Sequence, residues 1–248
     1  MKDHFGLRRF SLLAMAVAGV ASHCAAGTIV TVPPGLAPGS QYRLAFVTDG
    51  YYDATSSDIA DYNNDVNTEA DSVLALDALG TTWLAIGSTA TVNAIDNIGI
   101  DSGVPIYNLE GQLIADDASA GPNGLFASTT PSTIDNFVYT ESGTNQGGAP
   151  VWTGTGSDGR SYGSYALGST DVVFGTAGVS RPGGWIEGED IQAFLGFDLY
   201  AISDPLTVPP GSPTPEPTTT AMAVAALALA FAARRRFHRS RRATRALG

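Results

Sequence analysis

Carboxylates, hydroxyls and aromatic rings are the only side chains in the middle of this chain that lend themselves to chemistry. Residues 27–217 contain no cysteine and no histidine, because Cys24 and all three histidines lie outside this range. Disulfides, thiol chemistry, histidine-based triads and the usual zinc sites are therefore excluded there. Two suitably spaced carboxylates are enough to hydrolyse a glycosidic bond. The range holds 23 acidic residues, so a coincidental pair is expected and we assign no catalytic residue.

Two side chains are candidates for ligand contact. Trp185, in the segment RPGGWIEGED, lies among glycines and acids. This setting predicts an exposed ring and makes Trp185 the better candidate for stacking on a sugar, although a structural packing role is the favoured interpretation for a tryptophan. Asp158, in GTGSDGRS, can join main-chain carbonyls around a calcium ion, but one Asp-Gly turn lacks the alternating acids of a calcium loop. We therefore predict no metal ligand and no cofactor, with a structural calcium ion as the open alternative.

A strand followed by a helix begins the region that must position these side chains. In YRLAFVT, alternation places Tyr42, Leu44 and Phe46 on one side of a strand. Apolar residues then recur at helical spacing, which predicts a helix from about Ser57 to Leu74 with Ser56 or Ser57 as its N-cap. The residues on the apolar face of this helix are Ile59, Tyr62, Val66, Ala70 and Val73.

Beyond Gly80 the chain consists of short apolar runs separated by Gly, Asn, Asp and Pro, which is typical of strands and loops. The segment VPIYNLEGQLIA predicts a hairpin in which Gly111 takes a positive φ. Trp83 and Trp152 lie in apolar strand segments and are predicted to be buried, and FDLYAIS predicts a final strand before a Pro-rich linker. The predicted fold class is α+β, with one helix in the N-terminal half packed on a mostly antiparallel, loop-rich sheet.

The first 26 residues have the features of a secretory signal peptide. Lys2, Arg8 and Arg9 precede an apolar stretch, and the small residues of SHCAAG permit cleavage after Ala26 or a few residues earlier, at Ser22. We expect export through signal peptidase and the general secretion machinery, leaving an exported domain at 27–208.

The other end of the chain combines three distinct parts. A Pro-rich linker at 209–217 contains Pro215, Glu216 and Pro217, and a hydrophobic run at 218–233 follows as a predicted short transmembrane helix. Its apolar portion, 221–233, has 13 residues, fewer than the roughly 20 needed to cross a bilayer without strain. An arginine-rich tail at 234–248 is expected to stay in the cytoplasm. The membrane-flanking residues are Arg234, Arg235 and Arg236.

The order of a Pro-Glu-Pro motif, a short hydrophobic helix and an arginine cluster resembles the PEP-CTERM sorting signal of Gram-negative bacteria. The resemblance covers residues 214–248. It implies an exosortase-like membrane protease as partner, with cutting near Pro215, Glu216 and Pro217. It also implies transient anchoring in the inner membrane, followed by release to the cell surface or an exopolysaccharide matrix. An ordinary tail anchor is the alternative.

Without its two ends the chain is strongly acidic. Ten of the 13 basic residues lie in the ends, so residues 27–217 retain three arginines and carry a net charge of −20. Such a surface repels nucleic acid and anionic lipid, because favourable phosphate contacts depend on Lys and Arg. We therefore expect no nucleic-acid partner.

The segments ALGTTWLAIGST, VPIYNLEGQLIA, VWTGTGSDGRS and FDLYAIS together resemble, in order and spacing, the endostatin branch of the C-type lectin-like fold and related bacterial surface domains. The resemblance covers roughly Tyr42 to Ser203. The paired cysteines usual in that fold are absent, and so are the EPN-like, QPD-like and WND-like motifs that hold calcium and sugar. The resemblance thus implies the fold but not sugar recognition by that route.

Two functions from different classes follow from these observations. The first is a non-catalytic surface or matrix protein whose lectin-like domain binds a partner or an extracellular polysaccharide, or contributes to the coat. The alternative is a secreted, carboxylate-dependent polysaccharide hydrolase. The absence of a recognisable acid pair in a glycosidase-like motif favours the first.

Overall fold

The computed structural model describes residues 29–127, 132–181 and 183–211, which form a mixed structure of α-helices and β-strands. The α-helices are α1 (Ile59–Asp71), α2 (Leu74–Asp77) and α3 (Ala94–Ile98), with short 3-10 helices at Ser132–Asn136 and Gly163–Tyr165. The strands are β1 (Gln41–Val47), β2 (Trp83–Ala85), β3 (Ile106–Tyr107), β4 (Leu113–Ala115), β5 (Pro150–Trp152), β6 (Asp171–Thr176), β7 (Glu189–Gln192), β8 (Asp198–Ser203) and β9 (Leu206–Thr207).

All the strands belong to one open sheet in the order β4-β3-β1-β8-β5-β6-β7, with β2 paired to β8 and β9 paired to β1. Most neighbours are antiparallel, and the exceptions are β1 with β3 and β5 with β8. The two central strands meet with Phe46 opposite Ala201. The predicted combination of few helices with a mostly antiparallel sheet is therefore confirmed at this level.

Strand β1 is buried on both faces, so the sheet separates two hydrophobic cores. Tyr42, Leu44 and Phe46 share one core, as the alternation predicted. The intervening Ala45 and Val47 belong to the second core on the opposite face. A strand with cores on both sides reads as a nearly continuous apolar run, which is what the sequence LAFV shows.

Helix α1 is shorter than predicted at both ends. Its N-cap is Asp58, whose carboxylate accepts a hydrogen bond from the Ala60 amide at 3.0 Å. The prediction of Ser56 or Ser57 was wrong, because the Ser56 hydroxyl accepts from the Asp58 amide instead, at 3.1 Å. At the other end Val73 is extended, with φ −109° and ψ 108°, and starts the separate helix α2.

The apolar face of α1 packs on the core that contains Tyr42, as predicted. Tyr62, Val66 and Ala70 are fully buried in it, whereas Ile59 and Val73 lie at its margin. Helix α1 also covers the free edge of β2, since the Asn67 and Asn63 side chains accept hydrogen bonds from the Trp83 and Ala85 amides, at 2.9 and 2.8 Å. The helix is thus joined to the sheet by polar as well as apolar contacts.

Trp83 and Trp152 are buried, as predicted, with exposed fractions of 1% and 0%. The Trp83 ring meets Phe46 edge to face at a centroid distance of 4.9 Å. The Trp152 ring stacks on Phe197 at 4.4 Å, and its indole N–H donates to the Tyr52 carbonyl at 2.9 Å. Both tryptophans lie in the core beneath α1.

Strands β3 and β4 form the predicted hairpin. Gly111 has a φ of 77°, and a Cβ there would lie 2.8 Å from Pro34 Cδ. The side chain of Asn108 shapes the turn, because its oxygen accepts hydrogen bonds from the Glu110 and Gln112 amides at 3.0 and 2.9 Å. A residue without a side chain is therefore required at position 111 for conformation and for space.

The segment FDLYAIS is not the final strand, because β9 follows it. The chain pairs with β1 again through Leu206 and Thr207, and Val208 is buried. This short strand lies just before the predicted linker at 209–217 and adds a further pairing along β1. No helix in the part of the chain that the structure describes is long and apolar enough to cross a membrane. The predicted signal peptide and C-terminal hydrophobic helix lie outside the described residues.

Candidate functional site

Trp185 is buried, so the prediction of an exposed ring was wrong. Its exposed fraction is 2%, and the ring packs among Phe126, Phe137 and Tyr200, at centroid distances of 6.2, 6.0 and 5.5 Å. The glycines near it allow the backbone to fold tightly over β6: a Cβ on Gly175 would lie 1.8 Å from the Trp185 carbonyl oxygen. A ring held in this way cannot stack on a sugar.

Asp158 lies at the surface in a tight turn. Its carboxylate accepts a hydrogen bond from the Arg160 amide at 3.0 Å, and the Arg160 guanidinium lies 3.9 Å away, with both side chains about two-thirds exposed. In residues 29–127, 132–181 and 183–211 there is no group of three or more Asp, Glu, His or Cys side chains arranged to hold a metal ion. Asp158 and Trp185 do not share a site. The sorting residues, Pro215, Glu216, Pro217, Arg234, Arg235 and Arg236, lie outside the described residues.

The structure instead brings together four carboxylates around the end of β1, which we call the β1-end cluster and which comprises Asp49, Glu69, Glu141 and Asp198. The Asp49 amide donates to the Glu141 carboxylate at 3.0 Å. The Asp49 carboxylate accepts from the Gln146 side chain, also at 3.0 Å. The Tyr52 hydroxyl donates to Glu69, on α1.

Asp198, the first residue of β8, is the most unusual member of the cluster. It is completely buried, and neither carboxylate oxygen has a hydrogen-bond partner. Burial raises the pKa of Asp198 to about 7, and the charge of Asp49 adds to this effect. An ionised carboxylate in such a place would be strongly destabilising, so the neutral acid is favoured up to near-neutral pH.

The pKa of Glu141 is raised, as is that of Asp198. Glu141 has an exposed fraction of 4%, and burial raises its pKa to about 7, with contributions from the charges of Glu69 and Asp49. The hydrogen bond from the Asp49 amide acts in the opposite direction, because it stabilises the charged form. Two carboxyl groups of the β1-end cluster therefore gain or lose a proton close to neutral pH.

A carboxylic acid with a pKa near 7 has the property required of a general acid. A general acid must also touch the substrate, however, and the oxygens of Asp198 are sealed from solvent. Glu141 is nearly as enclosed and already holds the Asp49 backbone. The geometry therefore suits a buried, proton-sensitive structural contact better than an open catalytic pair.

Sequence reasoning missed the β1-end cluster because its members are far apart in the chain. No spacing motif links positions 49, 69, 141 and 198, which come from two loops, α1 and β8. The one local signal was Asp198 in FDLYAIS, where a charged residue begins an otherwise apolar strand.

The melting temperature of the protein is expected to be indifferent to reductant and to change little with EDTA. Residues 27–217 lack cysteine and histidine, and the described ranges hold no cluster that suits a metal ion. Differential scanning calorimetry with and without each reagent measures this. A decrease of about 10 °C in the melting temperature on addition of EDTA would show that a bound cation stabilises the fold and would support the alternative of a structural calcium ion.

A scan against protein-family models finds no match to this chain, and a search among curated proteins finds no matching relative.

Proposed function

We propose that this chain is an exported cell-surface or extracellular-matrix protein of Gram-negative bacteria whose folded domain has a non-catalytic binding or structural role. One observation carries this proposal: the order of Pro215-Glu216-Pro217, a 13-residue apolar run at 221–233, and seven arginines in 234–248. The apolar, basic-flanked segment at 1–26 agrees with export.

The physical basis of sorting is a membrane segment that fits the bilayer poorly. An apolar run of 13 residues is shorter than the hydrocarbon core requires, whereas the arginines behind it hold its far end in the cytoplasm. The Pro-Glu-Pro motif would then lie just outside the membrane, within reach of an exosortase-like protease. Cutting there would release the domain, which is complete by residue 208, where Val208 is buried.

The domain itself has features that support a surface role. Its charge disfavours nucleic acid and anionic lipid as partners, and the two acids whose pKa is raised to about 7, Asp198 and Glu141, are buried. We further propose that its fold belongs to the endostatin-like branch of C-type lectin-like domains. The early strand and helix, the buried Trp83 and Trp152, and the β3–β4 hairpin support this assignment.

Replacing Glu216 and Pro217 with alanine is expected to leave an uncut, membrane-bound precursor, because the protease would lose its recognition motif. The test expresses the full chain in a Gram-negative host that carries an exosortase-like protease, and measures the intact mass of membrane and surface fractions. Pro209→Ala/Pro210→Ala, in the same linker but outside the motif, is the matched control and should be processed normally. Deleting 218–248 should give a freely secreted protein.

The sorting proposal would be wrong if the wild-type surface form still carried all seven C-terminal arginines. The segment would then be a plain tail anchor, with the domain held permanently at the membrane.

A carboxylate-dependent polysaccharide hydrolase is the second candidate, favoured by one observation: the pKa of Glu141 is raised to about 7. Glu141 would act as the general acid after local opening of the loop that carries it. Release of reducing ends from polysaccharide by wild type, abolished in Glu141→Gln, would support this function. Equal release by both proteins, or none by either, would exclude Glu141 as a catalytic acid.

A further inference from the structure

Two tyrosine side chains stand side by side on the surface of the domain. Tyr162 immediately precedes the short 3-10 helix Gly163–Tyr165 and Tyr165 is its last residue, and their exposed fractions are 41% and 37%. Their ring centroids are 6.2 Å apart, with planes inclined by 51°. Trp185, by contrast, is buried, so this pair offers the aromatic surface that Trp185 does not.

The backbone that carries the two rings is tied down on both sides. The Tyr162 amide donates to the Gly154 carbonyl at 3.0 Å, and the preceding Ser161 amide donates to the Asn93 side chain at 3.0 Å. Beyond the pair, the Leu167 amide donates to the Ser88 carbonyl at 2.9 Å. The rings are therefore presented by an anchored segment, which lowers the entropy lost when a ligand is bound.

Carboxylates surround the tyrosine pair. The charge of Glu187 and its hydrogen bond with the Tyr162 hydroxyl raise the pKa of that phenol, and the charge of Asp190 acts in the same direction. Glu187 is itself held in place, because it accepts from the Ser157 amide at 2.7 Å. Asp158 lies beside the same turn: a Cβ on Gly156 would be 3.3 Å from its carboxylate and 3.5 Å from the Tyr162 ring.

Exposed aromatic rings offer a flat apolar surface to the face of a sugar ring and attract cations through their π electrons. Neighbouring carboxylates accept hydrogen bonds from hydroxyl and ammonium groups. Asp158, Glu187 and Asp190 outnumber Arg160, the basic residue next to Asp158. The negative surroundings disfavour an anionic sugar and favour a protonated amino sugar, which benefits from ring stacking, cation–π attraction and carboxylate contacts together.

We propose that Tyr162, Tyr165, Glu187, Asp158 and Asp190 form a binding surface for an amine-bearing polysaccharide of the polyglucosamine type. This inference rests on the binding role proposed above for the domain and specifies its ligand. Asp158, the sequence-based candidate for ligand contact, then contributes a carboxylate to the amine rather than a ligand to calcium.

The test is isothermal titration of the purified full chain, in detergent, with glucosamine hexasaccharide at pH 6. Tyr162→Ala/Tyr165→Ala leaves the net charge unchanged and is expected to weaken binding about tenfold. Tyr51→Ala removes a tyrosine that is 71% exposed elsewhere and is the matched control, with wild-type affinity expected. The double variant Tyr162→Phe/Tyr165→Phe keeps both rings and should retain most of the affinity.

Asp190→Asn provides a second test that does not touch the turn, since this residue is exposed on β7. It should weaken binding of the hexasaccharide severalfold, because the variant removes one of the carboxylates that attract the amine. Unchanged binding would overturn the part assigned to Asp190. Circular dichroism of each variant confirms that it is folded. If the double alanine variant does not fold, the Asp190→Asn result decides.

Several results would overturn the proposal. Absence of binding by wild type would overturn it. Equal binding by wild type and the double alanine variant would overturn it as well, because the hexasaccharide would then be attracted only by the overall negative charge of the protein. Equal or tighter binding of the neutral, N-acetylated hexasaccharide would overturn the assignment to amino sugars. Since none of these measurements depends on export, failure here leaves the sorting proposal to be judged by its own experiment.

Discussion

Trp152→Ala is expected to lower the free energy of unfolding by about 3–5 kcal/mol, as is typical when a large buried aromatic side chain is removed. Trp152 is fully buried, stacks on Phe197 and meets Phe174 edge to face at 6.2 Å. Its loss would leave a cavity at the junction of β5, β6 and β8. Urea denaturation followed by circular dichroism measures the change.

The loss should come from packing rather than from the indole hydrogen bond. The Tyr52 carbonyl that accepts from Trp152 also accepts from the Phe197 amide at 3.0 Å, so it stays paired in the variant. Phe194→Ala, at a side chain that is 67% exposed, is the control and should change stability by less than about 0.5 kcal/mol. A loss below about 1 kcal/mol for Trp152→Ala would contradict the packing described here.

Stability is expected to decrease as the pH rises from about 4 to about 7, and Asp198→Asn should remove part of that decrease. The pKa of Asp198 is raised from its ordinary 3.8 to about 7 in the folded protein. Between these values the folded state binds more protons than the unfolded state, so unfolding becomes easier as the pH increases. The stabilising effect is complete below the unfolded pKa and is lost as the pH passes through the folded one.

The size of the effect follows from the same linkage. Raising the pKa of Asp198 from 3.8 to about 7 corresponds to at most about 4 kcal/mol, so we expect Asp198→Asn to be about 2 kcal/mol more stable than wild type at pH 8. At pH 4 the difference should vanish or reverse. Glu141 has its pKa raised to about 7 by burial and retains its own contribution in the variant.

Urea denaturation at intervals of one pH unit from 4 to 9 provides the measurement. Repulsion between the many carboxylates also lowers the stability of the domain at high pH, but it affects wild type and Asp198→Asn almost equally. Glu110→Gln is the matched control, because Glu110 is exposed in the β3–β4 turn and does not belong to the β1-end cluster. This variant also loses one carboxylate, but it should keep the wild-type dependence of stability on pH. Parallel pH profiles for wild type and Asp198→Asn would show that Asp198 ionises without penalty.

Features set by neighbours in the chain could be predicted from the sequence. The apolar side of β1, the buried face of α1 and the positive φ of Gly111 follow from side-chain periodicity and turn chemistry. Burial of Trp83 and Trp152 followed from their apolar surroundings in the chain. These features could be predicted because each depends on residues that are only a few positions apart in the chain.

The boundaries of α1 depended on choices between similar local contacts. Three polar residues, Ser56, Ser57 and Asp58, compete to cap the helix, and it is the Asp58 carboxylate that accepts the hydrogen bond from the Ala60 amide in the first turn. Ala45 and Val47 lie on the second apolar face of β1, which is covered by apolar side chains from distant segments of the chain. Sequence periodicity alone does not show which distant side chains pack against a strand.

Only the tertiary structure decided that Trp185 is buried and which carboxylates lie together. Trp185 is covered by Phe126, Phe137 and Tyr200, and its backbone can approach Gly175 closely because Gly175 has no side chain. The β1-end cluster unites four positions that no local pattern connects. The sequence by itself determined the local elements and the order of the three C-terminal parts, because these are properties of contiguous residues. Burial, proton affinity and shared surfaces depend on which distant segments meet, and the folded sheet determines that.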